Sequence, residues 1–165
     1  MKKRLSIVFL IILNLLMISC SKDSLQSEVD ESTAKNVVDL VLSYEKGYDE
    51  TMKKHISEKN FYVSNYLEFY SNYIGNADIT DYSSEVVSFR ESQERYIVCM
   101  ILNIKAIATD THEHEEGEEG YSDEAIGENI PIEVILKERD GELYIESFTE
   151  YENLEKAKEL NGGFK

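Results

Sequence analysis

Residues 137–148 read KERDGELYIESF. The Asp140-Gly141 pair at its centre is the kind a two-residue hairpin turn selects, because both turn positions take positive φ. After the turn, Leu143, Ile145 and Ser147 alternate with Tyr144, Glu146 and Phe148, a returning strand. Before it, Ile130, Ile132, Val134 and Leu136 alternate with Pro131, Glu133, Ile135 and Lys137, a half-buried strand. Pro131 has no amide donor, which places it at a strand start, an edge or a bulge.

The same period continues upstream. Arg95 to Thr109 is a long strand with Tyr96, Val98, Met100, Leu102, Ile104, Ala106 and Ala108 on one face. Ile97, Cys99 and Ile101 make its other face apolar near the start, so this strand is central or bends between two coverings. Tyr82 to Phe89 is a further strand, and Glu91-Ser92-Gln93-Glu94 a polar turn.

Earlier, the period lengthens to that of a helix. Thr33 is placed to cap a helix whose face is Val37, Leu40, Val41, Tyr44 and Tyr48. Met52 and Ile56 sit at the next helical spacing. Ser57 or Asn60 then caps a helix with a stripe of Tyr62, Val63, Tyr66, Leu67, Phe69, Tyr70, Tyr73 and Ile74, ended by Gly75. A stripe of this kind is a core face packed on a sheet, or the wall of a small-ligand cavity. At the far end, Thr149-Glu150-Tyr151-Glu152 has the spacing of a capping box. A helix with Leu154, Ala157 and Leu160 follows it, stopped by Gly162-Gly163.

Helices first, then antiparallel strands joined by hairpins, predict an α+β domain with N-terminal helices packed on a curved antiparallel sheet and a C-terminal helix. Residues 33–165 form this single domain. Tyr66, Tyr70, Val98, Met100, Leu102, Val134 and Ile145 are expected in one buried cluster.

The hairpin 137–148 resembles the closing hairpin of the nuclear transport factor 2-like (cystatin-like cone) superfamily. There an acidic–Gly turn leads into a strand like Ile145-Glu146-Ser147-Phe148. Residues 33–148 follow that superfamily in element order; the C-terminal helix and a long acidic loop depart from it. The resemblance implies a cone-shaped fold that hosts enzymes, binders and dimerisation modules alike. Ketosteroid isomerase, of the same fold, uses a carboxylate base and a tyrosine hydroxyl in the cone. Here the tyrosines are present, and no carboxylate is assigned opposite them, so no catalytic residue is named.

The acidic loop is residues 110–127, DTHEHEEGEEGYSDEAIG. No Lys or Arg occurs between Lys105 and Lys137. Such a stretch is read as a solvated connection between strands. Extended backbone would put His112, His114 and Glu116 on one side, a ligand set suited to Zn²⁺ or a similar divalent ion. The spacing is neither that of a metalloprotease helix nor that of an EF-hand. The bland reading is an acidic loop that happens to hold two histidines.

The chain begins MKKRLSIVFLIILNLLMISC. Lys2, Lys3 and Arg4 precede a 14-residue apolar run, Leu5 to Ile18, then Ser19 and Cys20. This is the layout of a secretory signal peptide over residues 1–19, too short to span a bilayer. Leu16-Met17-Ile18-Ser19-Cys20 resembles the lipobox of bacterial lipoproteins. That resemblance implies cleavage before Cys20, diacylglycerol on its thiol, and a domain outside the cytoplasm on the cell membrane or outer membrane. Residues 20–32, polar apart from Leu25 and Val29, are a flexible tether.

The formal net charge is −16, and removing the three basic residues with the leader makes it more negative still. Such a surface repels nucleic acid. Two cysteines exclude a disulfide scaffold, and Cys99 reads as a buried small hydrophobe. Three functions remain open from the sequence. They are a non-catalytic binding or interaction domain for an envelope partner, a metal-handling lipoprotein without other cofactor, and a small-molecule binder or enzyme using the cone.

Overall fold

The computed structural model describes residues 29–109 and 123–165. Helix α1 spans Glu31–Leu42, a 3-10 turn Met52–Lys54, α2 Glu58–Ser64 and α3 Tyr66–Ile74. The strands are β1 Ala77–Ser92, β2 Arg95–Ala108, β3 Glu124–Arg139 and β4 Glu142–Glu150. Helix α4, Leu154–Leu160, and a last 3-10 turn, Gly162–Phe164, complete the domain. The class is α+β: helices on a four-stranded antiparallel sheet in the order β1-β2-β3-β4. Among the described residues no helix is long and apolar enough to cross a membrane.

Both outer hairpins close with two residues at positive φ, Gln93 and Glu94 in one and Asp140 and Gly141 in the other. That turn geometry matches the right-handed twist of the strands it joins. The strands run well past the sequence reading. β1 begins at Ala77 rather than Tyr82, and β3 begins at Glu124. Glu124 to Gly127, assigned above to the acidic loop, are therefore strand, paired with Ile107 to Ile104 of β2. Their backbone bonds to β2 outweigh a composition that by itself reads as solvated.

Bulges bend the sheet. Thr80 and Val87 are extra residues on β1, and Glu146 is one on β4. In β3 the bulge lies between Gly127 and Ile130, where Asn129 takes φ 53 and its N–H donates to Asn103 Oδ1 at 2.9 Å. Pro131 follows this bulge, inside a central strand and not on an edge.

The concave face carries α1, α2 and α3. Val98, Met100, Leu102, Ile132, Val134, Leu136 and Ile145 meet Val38, Val41, Phe61, Tyr66 and Tyr70 in one buried cluster, so the seven expected core residues lie together. The helical faces differ from the sequence reading. In α1 the inward residues are Ala34, Val38, Val41 and Leu42, and Leu40 is exposed. The helix is capped by Asp30, not Thr33: the Thr33 N–H donates to Asp30 Oδ1 at 2.7 Å. The segment read as tether thus ends in helix, and Val29 packs on the core.

The long aromatic helix is two helices meeting at Asn65. Tyr62, Val63, Phe69 and Tyr73 face solvent, and Phe61, outside the expected stripe, is fully buried. Ser57 caps α2, donor Asn60 N–H. Thr149 and Glu150 belong to β4, and the cap of α4 is Asn153, not Thr149. Sheet pairing outcompetes a local capping pattern that has the right spacing.

Helix α4 and the last turn lie on the convex face. Cys99, Ala157 and Phe164 form a small second core with Tyr151 and Leu154, while Leu160 is exposed. A Cβ on Gly163 would come within 2.5 Å of Cys99 Sγ and 2.9 Å of Ser88 Oγ. Only a glycine lets this backbone lie so close to the sheet.

Candidate functional site

The interior of the cone is occupied by its own side chains. Tyr66 donates its hydroxyl to Glu150 Oε2 at 2.7 Å, and Tyr82 donates to Asp39 Oδ1 at 2.8 Å. Ser84 Oγ donates to the same Asp39 oxygen, and Lys35 pairs with the other. Burial first, and then the facing carboxylate, push both phenols well above the usual tyrosine range, so they stay protonated as donors. Tyr70 reaches over Gly127, where a Cβ would lie 2.6 Å from its hydroxyl oxygen. The remaining space beside Tyr66 and Glu150 is a shallow cleft of about 100 Å³.

A larger groove, about 640 Å³, lies outside the cone, between the 3-10 turn and the β3–β4 hairpin. Tyr48, Lys53, Lys54, Ser57 and Glu58 line one wall, and Arg139, Asp140, Glu142 and Tyr144 the other. The two walls are locked together through His55. Its Nδ1 lies 2.9 Å from the Leu143 carbonyl, and a carbonyl only accepts, so Nδ1 carries the proton. The Ile145 N–H donates back to the His55 carbonyl at 2.7 Å. One turn of chain thereby covers the first part of the β4 edge.

Asp49 builds the turn. It accepts from the Thr51 N–H at 2.8 Å, the Met52 N–H at 3.0 Å and the Tyr44 hydroxyl at 2.7 Å. The Tyr44 hydroxyl, followed by these amides, lowers its carboxyl pKa. Tyr48 is held by its hydroxyl on the Ile56 carbonyl and its ring against Phe61. The Arg139 guanidinium sits 4.7 Å over the Tyr144 ring, and Lys53 pairs with Glu50. Among the described residues Lys54 has no ion-pair partner. The groove therefore offers two phenol groups and charges of both signs, a lining for polar ligands.

No residue lining this groove stands out from the sequence as a functional candidate. Tyr48 falls on the helix face expected from Val37 to Tyr48, Lys53 and Lys54 lie between Met52 and Ile56, and Arg139 precedes the Asp140-Gly141 turn, so none is marked as a site by a local pattern. The available signal was the run of charges around Tyr44 and Tyr48. Cys20, His112, His114 and Glu116, the residues singled out from sequence, lie outside the described residues. Among the described residues no three His, Cys, Asp or Glu side chains are grouped to hold a metal ion.

Sheet order, bulges and helix placement define the class: an α+β domain with helices in the hollow of a curved antiparallel sheet. No family model matches the chain, and no curated protein does. Among solved structures, the crystal structure of the intermembrane space region of chloroplast protein ARC6 is similar in fold. It has a TM-score of 0.50 and 18% identity, covering 74% of this chain and 96% of that one. A designed protein of the nuclear transport factor 2 type overlaps at a TM-score of 0.43 and 14% identity, over 74% of this chain and all of that one. At such identity the ARC6 likeness is one of fold alone.

Proposed function

We propose that this protein is a non-catalytic binding or interaction domain, tethered through a lipid on Cys20 to the outside of a bacterial membrane. Its binding site on this reading is the groove between the 3-10 turn and the β3–β4 hairpin. One observation carries the proposal: about 640 Å³ of space flanked by Tyr48 and Tyr144 and lined by charges of both signs, against a cone packed with its own side chains. Phenol rings suit the C–H faces of a ligand, and mixed charges suit its hydroxyl, ammonium or carboxylate groups. The net charge of −16 argues against nucleic acid as partner. The period-two set His112, His114 and Glu116 supports a second reading, the handling of a divalent ion beside this binding role.

Photo-crosslinking in cells tests the main reading. A crosslinking side chain at Tyr144 should capture a partner or ligand that the same group at Glu85, exposed on β1, does not. Equal capture at both positions would overturn it.

A further inference from the structure

A second surface lies along the free part of the β4 edge. β4 is the last strand of the sheet, and His55 takes the outward groups of Leu143 and Ile145. From Glu146 to Thr149, among the described residues, no backbone group of β4 bonds to anything but β3. Beside this stretch run two connected clefts, of about 190 and 100 Å³, which share Val63, Ser64 and Phe148 as walls. Val63 is 70% exposed and Phe69 44%, and the Phe69 ring continues to Tyr73 at 5.2 Å. An unpaired strand edge beside an apolar trough is the arrangement that accepts an added strand.

Charge narrows the occupant. The charged residues lining the two clefts are Glu146 and Glu150, with no Lys or Arg. Glu146 is neutralised by Arg95 and Lys137. Glu150 spends Oε2 on Tyr66. Its exposed carboxylate lines the trough. A second copy of this chain would bring a like charge of −16 to the same edge. We propose that this trough takes an extended segment of another protein. Its backbone pairs with β4 beyond the bulge at Glu146, from Ser147 to Thr149, its apolar side chains rest on Val63, Phe69 and Phe148, and a Lys or Arg meets Glu150.

The full chain, titrated with a short synthetic peptide of alternating valine and lysine at physiological salt, provides the test. Binding should perturb the amide signals of 146–150 and of the α2–α3 junction. It should weaken at least about tenfold both with Val63→Asp and with a backbone N-methylated peptide. The Val63→Asp variant separates docking from mere charge attraction: an added carboxylate strengthens non-specific binding of a lysine peptide, whereas docking loses its apolar floor. An equally tight valine–glutamate peptide, unchanged or stronger binding by Val63→Asp, or no binding at all would overturn the proposal. So would a concentration-dependent dimer that Val63→Asp abolishes, which would mean self-pairing. None of these results bears on capture at Tyr144, so the two sites stand or fall separately.

Discussion

The side-chain amide of Asn65 donates to the Val41 carbonyl at 2.8 Å, tying the last turn of α1 to the break between α2 and α3. The same nitrogen donates to the Tyr44 carbonyl at 2.9 Å, and Oδ1 caps α3 by accepting from the Glu68 N–H. Asn65 is fully buried. Asn65→Ala should therefore cost on the order of 2–4 kcal/mol in urea unfolding, from the lost cap and the stranded carbonyls. Asn65→Asp keeps the cap and cannot donate. If Asn65→Asp is as stable as the parent chain, the bonds to Val41 and Tyr44 do not hold the helices together.

What was legible followed from local period. The hairpins were marked by Asp140-Gly141 and by the polar turn before Arg95, and β2 by the even-numbered apolar face from Tyr96 to Ala108. The start of β3 was hidden because Glu124 and Gly127 sit in an acidic run, and only their pairing to β2 makes them strand. Asn65 looked like one more polar residue in a helix. The groove joins Tyr48 to Tyr144, residues far apart in sequence, and no local pattern announces it.

Acid should loosen the 3-10 turn. Asp49 has a lowered pKa in the fold, chiefly from the Tyr44 hydroxyl. The unfolded chain then binds more protons as pH falls, so this contribution is complete above the ordinary carboxylate range and is lost as pH drops below about 4. Unfolding midpoints measured from about pH 6 to pH 3 should fall less steeply in Asp49→Asn. An identical slope would show that Asp49 carries none of the pH dependence.

Cys99 should be inert until the convex face opens. Burial, its largest influence, raises the thiol pKa, and the thiolate is the reactive form. Gly163→Ala drives a methyl into Sγ and should cost about 1–3 kcal/mol. Alkylation at Cys99, followed by mass spectrometry, should be slow in the parent chain and faster in the variant. Equal rates would contradict the close approach of Gly163.

Cys20→Ala should move the protein from the membrane to the soluble fraction or block its processing. A variant that remains membrane-bound and is cut at the same place would refute lipidation.

Zn²⁺ titrated into the full chain should bind weakly, less so as pH falls below about 6.5, since neutral imidazole is the ligand form. The His112→Ala, His114→Ala double variant should lose this heat. Equal heats from both chains would remove the metal reading.

The two edges of the sheet are unlike, and this sets a valency. β1 is bulged twice along its length, at Thr80 and Val87, and lines its edge with the exposed carboxylates of Asp78, Asp81 and Glu85, whereas β4 has a single bulge at Glu146, at the head of its free stretch. β4 is shut by His55 over its first residues and open beyond. On the proposed pairing, strand addition would occur once, at one end, leaving the next molecule only the twice-bulged, acidic β1 edge. On that reading, the asymmetry that admits one neighbour also works against growth into a fibre.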